Sequence, residues 1–435
     1  MSNLIKTPFF LSFLLVLPFV LCANELNPSQ ITIISKEELE RGPSYSVADV
    51  LAHIGFVNIE RHGSVGTPSF LKLRGGTPGE TLILIDGRPI HYAGAEAINL
   101  SEIPLSFIDH IEIMRGGASF RYSSEAYNGA INLVTLRPEE KNLNVMLKTG
   151  VGRDGVVSNR GEFFYRTRIG DFTYAPGLLK SGGFQGNEEV GQTDHFFNFS
   201  RSFNGKGYWG VEYFYHEASF GTPKGTQFPF NKWDTHLEID PNDRTSLKEN
   251  NNQYIKLELG SIPVKKGNLN ISFVRSLSET QSKSSRKSSP VNEEDLNFDY
   301  VDVSYVSHFL EFGMDSKQTT QKIFSQSPHG FTKNSFFVLL PFKAGKLSLR
   351  PQVRWDDYSY SNNAGAYRIT GLYSLSSQWL FSSSWQKGNK SPFFSQVYDL
   401  GKKFSLSLEE ISSFDSGIRF NNAHNLDASY TFFIS

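Results

Sequence analysis

Apolar and polar side chains alternate over segments of about ten residues in the carboxyl-terminal two thirds of this chain. Successive side chains of a β-strand point to opposite sides of the sheet, so alternation predicts strands with one apolar and one polar face. The clearest case is 346–356, where the apolar face holds Leu347, Leu349, Pro351, Val353 and Trp355, and the polar face holds Ser348, Arg350, Gln352, Arg354 and Asp356. The pattern recurs with varying quality at 207–217, 253–261, 269–275, 368–375, 378–385 and 425–434.

Strands of a soluble β-sandwich also alternate, so the alternation alone leaves two architectures open. Two features favour an antiparallel transmembrane barrel: charged residues stand in the middle of the polar faces while large aromatics occupy the apolar faces, and long polar loops separate strand pairs. The chain holds 37 Phe and 18 Tyr, and no apolar run after residue 21 is long enough for a membrane-spanning helix. We expect the loops 219–251, 278–296, 316–333 and 387–412 on the extracellular side.

The amino terminus is typical of an export signal. Lys6 precedes an apolar run from Phe9 to Leu21, and Cys22-Ala23 supplies small residues for cleavage, so residues 1–23 are predicted to be a signal peptide. Lipidation of Cys22, the only cysteine, is the alternative, which the bulky Leu21 disfavours. Together with the barrel pattern, the signal predicts a protein of the outer membrane of a Gram-negative type envelope, in contact with the lipid bilayer.

Residues 31–138 read as a separate α+β domain. Ser35 with Glu38 predicts a capped helix, and a second helix places Val47, Val50, Leu51 and Ile54 on one face. Strands are predicted at 70–74, 81–86, 108–115 and 130–135. Asp86-Gly87 is a strong signal for a two-residue hairpin turn, because glycine accepts positive φ without a Cβ clash.

The motifs of this domain, in order, resemble the plug domain of TonB-dependent outer-membrane receptors, with the cobalamin and siderophore branch nearest. The resemblance extends from Ile31 to Thr135 and rests on "ITIISKEEL", "VADVLAHIGFVNI", "FLKLRGG", "TLILIDGRPI" and "IPLSFIDHIEIMRGGASFRYSSEAYNGAINLVT". The sequence departs from the family pattern at Gly117, Ser123 and Asn128. Near the end of the chain, "NKSPFFSQVYDL" and "LSLEEISSFDSGIR" resemble receptor barrel segments, with departures at Leu408, Ile411 and Asp415.

The resemblance implies an all-β antiparallel transmembrane barrel, 139–435, closed by the α+β plug, 31–138. It also implies that arginines at the ends of plug strands pair with barrel carboxylates and hold the plug in place; the matching residues are Arg74, Arg115, Glu409 and Asp415. The loops 62–69 and 91–97 correspond to outward-facing plug loops that contact ligand in the family. They contain His62, Gly63, Ser64, His91 and Tyr92.

The expected function is uptake of a scarce metal chelate such as cobalamin, haem or a ferric siderophore, gated by the plug and energised by a TonB-type periplasmic partner. A receptor-derived barrel that binds at the surface without energised transport is the alternative, and a hydrolase using Glu293 and Glu294 has little support. No catalytic motif is present, so no enzyme is predicted. The net charge of −1 disfavours a nucleic-acid partner. We expect a monomer.

No cofactor or metal site is predicted. His62, His91 and His110 lack ligand spacing, and the acidic run with Asp234, Glu238, Asp240 and Asp243 is more typical of a solvated loop than of a calcium site.

Two further expectations concern the ends of the chain. Only "NELNPSQ" separates the predicted cleavage site from Ile31, so coupling to the energiser is expected to be weak unless "ITIIS" itself is pulled out. We count about 14 to 16 barrel strands, whereas plugged transporters have about 22. A closed ring of about 16 strands has an interior of about 22 Å, too narrow for a plug of about 34 Å. The sequence thus predicts an incomplete barrel, with a compacted barrel or an external plug as the alternative.

Overall fold

The structure is a computed structural model that describes 31–42, 44–90, 98–115, 128–138, 143–184, 187–203, 206–221, 247–283, 292–323, 328–359, 362–390, 398–399, 402–403, 408–421 and 427–434. No helix within these ranges has the length and apolar character needed to cross a membrane.

The amino-terminal domain is built on a small mixed sheet. Its helices are α1 (Lys36–Leu39) and α2 (Val47–Leu51), with 3-10 turns at Pro78–Glu80, Leu100–Glu102 and Leu105–Phe107. Its strands are β1 (Ile31–Ile34), β2 (Val57–Arg61), β3 (Ser69–Leu73), β4 (Thr81–Ile85), β5 (Arg88–Pro89), β6 (Ile108–Arg115) and β7 (Gly129–Thr135). Five of them form a sheet in the order β1-β6-β7-β4-β5, and β2 pairs with β3.

Local sequence accounts for the boundaries of these elements. The predicted capping box is present at α1, where the Ser35 side chain and the Glu38 backbone and carboxylate bond reciprocally. The predicted hairpin turn joins β4 to β5, with φ of 46° at Asp86 and 75° at Gly87. Both left-handed values are typical of a type I′ turn, whose twist matches that of the flanking strands.

Among the described residues after 138, 16 strands form one large antiparallel sheet, in agreement with the count from the sequence. Its path runs from β8 to β25 in chain order, with β18 beside β19. A separate two-stranded hairpin, β22 (Tyr398–Asp399) with β23 (Lys402–Lys403), lies between β21 and β24 in sequence. The strands of the large sheet are β8 (Leu143–Val151), β9 (Val157–Arg166), β10 (Asp171–Ser181), β11 (Val190–Ser202), β12 (Tyr208–Gly221), β13 (Leu247–Val264), β14 (Gly267–Lys283), β15 (Asn292–Ser307), β16 (Glu311–Ile323), β17 (His329–Leu339), β18 (Phe342–Ala344), β19 (Leu347–Tyr358), β20 (Ala364–Ser374), β21 (Trp379–Lys390), β24 (Glu409–Asn421) and β25 (Asp427–Ile434).

The two faces of this sheet are inverted relative to those of a soluble protein. On β19, Val353 and Trp355 are 60% and 53% exposed, whereas Arg354 and Asp356 are 1% and 0% exposed. The same inversion recurs on other strands, where outward Leu257 and Met314 are 45% and 58% exposed while the neighbouring Lys256 and Asp315 are buried. A sandwich in water would bury the opposite set, so the outward face is a lipid-facing surface and the predicted barrel architecture is confirmed.

The strands that flank the predicted polar loops extend further than the sequence analysis predicts. β12 continues to Gly221 and β13 begins at Leu247, so the strands extend into the predicted loop 219–251. β14 through β17 and β21 extend in the same way. Strands can continue with polar residues beyond the apolar band, because pairing satisfies their backbone whether or not lipid surrounds them.

The described strand ends that flank these four segments lie at one end of the sheet, while tight turns such as 265–266 and 308–310 lie at the other. Outer-membrane barrels have short periplasmic turns and longer extracellular connections. This asymmetry fixes which end of the sheet is periplasmic.

The plug lies against the inner face of the large sheet. Buried residues of the plug and of β10 to β15 form one continuous hydrophobic cluster, and Arg74 of the plug reaches Asp415 on β24. The sheet therefore curves around the plug. The two edges of the described sheet are β8 and β25. Because the described strands do not form a closed 16-stranded ring, the interior of the sheet can be wide enough for the plug.

We predict that Val353→Lys destabilises the protein by about 2–4 kcal/mol, because it places an ammonium group in the lipid-facing band. Urea unfolding in lipid vesicles measures the effect. The control is Leu375→Lys, an equally polar change at an exposed residue of the periplasmic turn after β20, which should cost about 0–1 kcal/mol. Equal effects at the two positions would contradict a lipid-facing β19.

Candidate functional site: the plug–barrel interface

The predicted pair of Arg74 and Asp415 is brought together by the fold. β3 ends at Leu73, and the following turn gives Arg74 a φ of 53° and Gly75 a φ of 75°. A left-handed arginine costs about 1–2 kcal/mol, which is tolerated here because the turn directs the guanidinium at the barrel. Arg74 Nη1 lies 2.6 Å from Asp415 Oδ1, and both side chains are nearly buried.

Arg115, the last residue of β6, belongs to the same group of charges. Its guanidinium lies 5.0 Å from the centre of the Phe56 ring. Burial, together with the neighbouring charge of Arg74, lowers the pKa of Arg115, and the Asp415 carboxylate acts in the opposite direction. Arg368 of β20 also interacts electrostatically with Asp415 and Arg74. One barrel carboxylate, that of Asp415, thus interacts with arginines of both domains. We call Arg74, Arg115, Arg368 and Asp415 the Asp415 cluster.

Glu409, the fourth residue of the predicted lock, is placed elsewhere. It is the first residue of β24, is exposed, and precedes Asp415 by six residues, which is about 20 Å along a strand. Sequence spacing places both acids on the same face of β24 but cannot show which of them pairs with Arg74.

A second charged group at the hairpin turn of the plug was not predicted. Asp86 Oδ2 lies 3.0 Å from Lys256 Nζ on β13, and Lys256 Nζ lies 3.0 Å from Glu212 Oε2 on β12. Asp86 also accepts hydrogen bonds from the backbone N–H and the hydroxyl of Thr135, at 2.9 and 2.8 Å. These residues, with Arg88, are called the hairpin cluster.

Arg88 follows this turn and contacts the adjacent barrel strands. Its Nε donates to Ser272 Oγ at 2.5 Å, and its Nη2 lies 3.3 Å from Asp302 Oδ2 and 3.8 Å from Glu258 Oε1. The signal that could have revealed this cluster is the charged pair Asp86 and Arg88 on either side of Gly87 in an otherwise apolar stretch. Local sequence predicts only a turn at this stretch.

The hairpin cluster sets the ionisation of Asp86. Burial alone would raise the pKa of this carboxyl, but the charges of Lys256 and Arg137 and the hydrogen bonds from Thr135 outweigh it and hold the pKa well below its usual range. Asp86 is therefore a permanent anion under physiological conditions, and its contacts are charge-assisted.

Two residues of the predicted ligand loop are packed against the barrel. The Ser64 N–H donates to Glu188 Oε1 at 3.0 Å, and Ser64 is buried. A Cβ on Gly63 would lie 2.1 Å from the same oxygen, so glycine permits this close approach. Nearby, the Gly66 carbonyl accepts from Gln192 Nε2 at 3.0 Å.

The other loop residues differ in environment. His62 is exposed, packs edge-on against Phe70 and lies 3.5 Å from Glu60 Oε1. Of the residues predicted on this loop, His62 is the one whose side chain is exposed and could contact a ligand. His91 and Tyr92 lie outside the described residues, as do Asp234, Glu238, Asp240 and Asp243.

An apolar contact fixes one side of the plug. Phe107, at the end of the 3-10 turn before β6, stacks on Phe196 of β11 at 4.7 Å and contacts Phe214 of β12 at 5.1 Å. All three rings are buried, with Tyr254 and Phe298 in the same cluster. We call this set the aromatic seam. Aromatic pairs contribute about 0.5–1.5 kcal/mol beyond the burial of their area.

Comparison with known proteins agrees with this geometry. Residues 24–130 match the family described as TonB-dependent Receptor Plug Domain. The fold is similar to the unliganded ferric citrate transporter FecA (TM-score 0.73, 14% identity, 93% of this chain and 69% of that one). It is also similar to the siderophore receptor PirA from Acinetobacter baumannii (0.74, 14%, 93% and 70%) and to the FrpB iron transporter from Neisseria meningitidis in its apoprotein form (0.77, 12%, 93% and 72%).

The fold and the interface define a plugged β-barrel of the outer membrane. The amino-terminal domain is a TonB-dependent receptor plug, and the chain as a whole has the plug-and-barrel architecture of the TonB-dependent receptors. The expected outer-membrane localisation is confirmed with it.

We predict that Asp415→Asn loosens the plug, because it leaves buried arginines without their shared carboxylate, a loss of about 3–5 kcal/mol. Cells carrying the variant should become sensitive to bulky antibiotics that the intact outer membrane excludes. The matched control is Glu409→Gln, an equal change on the same strand that should leave sensitivity unchanged. Unaltered sensitivity in a surface-inserted Asp415→Asn protein would contradict the role of the cluster.

The hairpin cluster leads to a prediction about pH. Because the folded pKa of Asp86 lies below the unfolded value of about 3.9, its stabilisation is complete above that value and disappears as the pH falls through the folded pKa. The difference in unfolding free energy between the wild type and Asp86→Asn should shrink as the pH falls below about 4. Denaturant unfolding at each pH measures it, and a difference that grows on acidification would refute this assignment.

Proposed function

We propose that this protein takes up a scarce metal chelate across the outer membrane, with the plug as the gate and a TonB-type periplasmic protein as the source of energy. Of the candidate ligands cobalamin, haem and ferric siderophore, the iron chelates receive additional support. The structures to which the fold is similar are named for ferric citrate, a siderophore and iron.

The observation that carries the proposal is the seating of the plug. Its ionic contacts at Asp415 and at the hairpin turn can each be exchanged for water or for another partner when the plug shifts, since charged groups regain hydration as they separate. A plug that never moved would be held more firmly by apolar packing alone. The contacts therefore suit a gate that is closed at rest and can be opened by force.

The position of β1 supports the mode of energy input. In the part of the chain that the structure describes, β1 lies at the edge of the plug sheet and pairs with β6 along four residues. A partner that pulls on this end of the chain would break few backbone hydrogen bonds at first. This agrees with the alternative, raised from the sequence, that "ITIIS" itself is pulled out.

Uptake measurements test the proposal. Cells that express the protein as their sole candidate receptor should accumulate radiolabelled ferric siderophore, and a protonophore should abolish accumulation while leaving surface binding intact. Binding with no energised accumulation would favour the alternative, a surface-binding protein without transport. Absence of both binding and uptake for siderophore, haem and cobalamin would contradict the proposal.

A tethered plug provides a sharper test. In a Cys22→Ser background, Ser64→Cys with Glu188→Cys places thiols on the two sides of a plug–barrel contact. A reducible bifunctional thiol reagent that joins them should stop uptake, preserve binding, and allow recovery of uptake after reduction. Full uptake by the crosslinked protein would exclude movement of this part of the plug as the gate.

A further inference from the structure

A cavity with a volume of about 370 Å³ lies at the periplasmic end of the sheet, away from the clusters described above. It is bounded by the hairpin of β18 and β19, by the turn between β20 and β21, and by β24. Its size is within the range of small-molecule sites.

The orientation of the lining residues places the cavity on the lumen side of the wall. On β19, Ser348 lies on the same face as the buried Arg354, and Lys343 is paired with Ser348 across the hairpin. On β20, Leu372 and Ser374 share the face of the buried Arg368. Trp379, the first residue of β21, is an exception because its side chain faces outward. One side of the cavity therefore lies at the rim, beside the lipid-facing surface.

The chemistry of the lining is one-sided. Lys343, Lys346 and Arg419 contribute three positive charges, and the described lining contains no aspartate or glutamate. Hydroxyl groups come from Ser348, Ser374, Ser376 and Ser377. Lysine and arginine charges with hydroxyl donors are the groups that bind phosphate oxygens, which carry more charge and accept more hydrogen bonds than a single carboxylate.

The arginines above the cavity differ from its lining, because carboxylates of the same wall accompany them. Arg354 on the inner face of β19 lies 2.7 Å from Asp315 and 2.8 Å from Asp356, and Arg368 on the inner face of β20 interacts electrostatically with Asp415. The described lining of the cavity has cationic residues and no acidic one, so its positive charge would attract an anion at the periplasmic end.

We propose that this cavity binds a phosphate group at the periplasmic mouth of the barrel, with Lys343, Lys346 and Arg419 as its cationic ligands and the serines as hydrogen-bond donors. The group can belong to a phospholipid of the inner leaflet, which reaches the rim beside Trp379, or to a soluble phosphate compound. Neither assignment depends on transport of a metal chelate.

Binding to two probes tests the site. Purified full-length protein in detergent is titrated with sn-glycerol 3-phosphate and followed by isothermal calorimetry. The same protein in phosphatidylcholine nanodiscs that contain phosphatidylglycerol is analysed for retained lipid by native mass spectrometry. Lys343→Gln with Lys346→Gln should weaken binding of the recognised probe at least about tenfold, since two charge-assisted contacts are lost.

A matched control uses Lys265→Gln with Lys266→Gln. These lysines occupy the tight periplasmic turn between β13 and β14 and do not line the cavity, so the change removes the same charge from the same end of the sheet. Binding should be as in the wild type.

Each outcome of these binding measurements either supports or overturns the phosphate site. Loss of glycerol phosphate binding in the cavity variant alone supports a soluble ligand, and selective loss of phosphatidylglycerol supports a lipid ligand. If the two double substitutions weakened binding equally, the probe would be binding to the positive charge of the rim in general, and the proposal would be overturned. Failure of the wild type to bind either probe would overturn it too.

Discussion

The structure depends on the requirement that a polypeptide crossing hydrocarbon must satisfy its backbone polar groups internally. Here continuous strand pairing from β8 to β25 meets that requirement across the described sheet. Lipid on the outside then makes the outer face apolar, and alternation places the polar side chains inside. Residues such as Arg354 and Asp356 are buried for this reason, and they pair with Asp315 and Lys333.

A polar lumen determines how a plug can be held. Apolar packing is available only where the inner wall is locally aromatic, as at Phe196 and Phe214, so the aromatic seam is confined to one side. Elsewhere the plug must offer charges that complement those of the wall. Asp86 and Arg74 do so from turns with left-handed residues, because a tight turn projects a side chain beyond the surface of the small domain. The result is a domain held at β11 to β15 by both buried rings and ion pairs, and at β24 by the ion pair between Arg74 and Asp415.

The asymmetry between the two walls has a functional consequence. The charges of β16 to β20 bind one another, as Arg354 does with Asp315, whereas Arg74 of the plug is paired with Asp415 on β24. Separation of the plug from Asp415 exposes charged groups that water can solvate, but separation from the aromatic seam would expose rings to water at a hydrophobic cost. Movement of the plug is therefore easier at the ion pair with Asp415 than at the aromatic seam.

The sequence by itself determined the strand alternation, the capped helix at Ser35, the hairpin turn at Asp86-Gly87 and the candidacy of Arg74 and Asp415, because each depends on local periodicity, local turn chemistry or a motif. It could not decide which acid of β24 meets the plug, nor that Asp86 and Arg88 bind the barrel, since Glu409 and Asp415 share a face and the partners of Asp86 lie more than a hundred residues away. Only the curvature of the sheet around the plug selects those partners. The same curvature decided that Gly63 and Ser64 face the barrel wall, which local sequence cannot encode because it arises from the pairing of all the strands together.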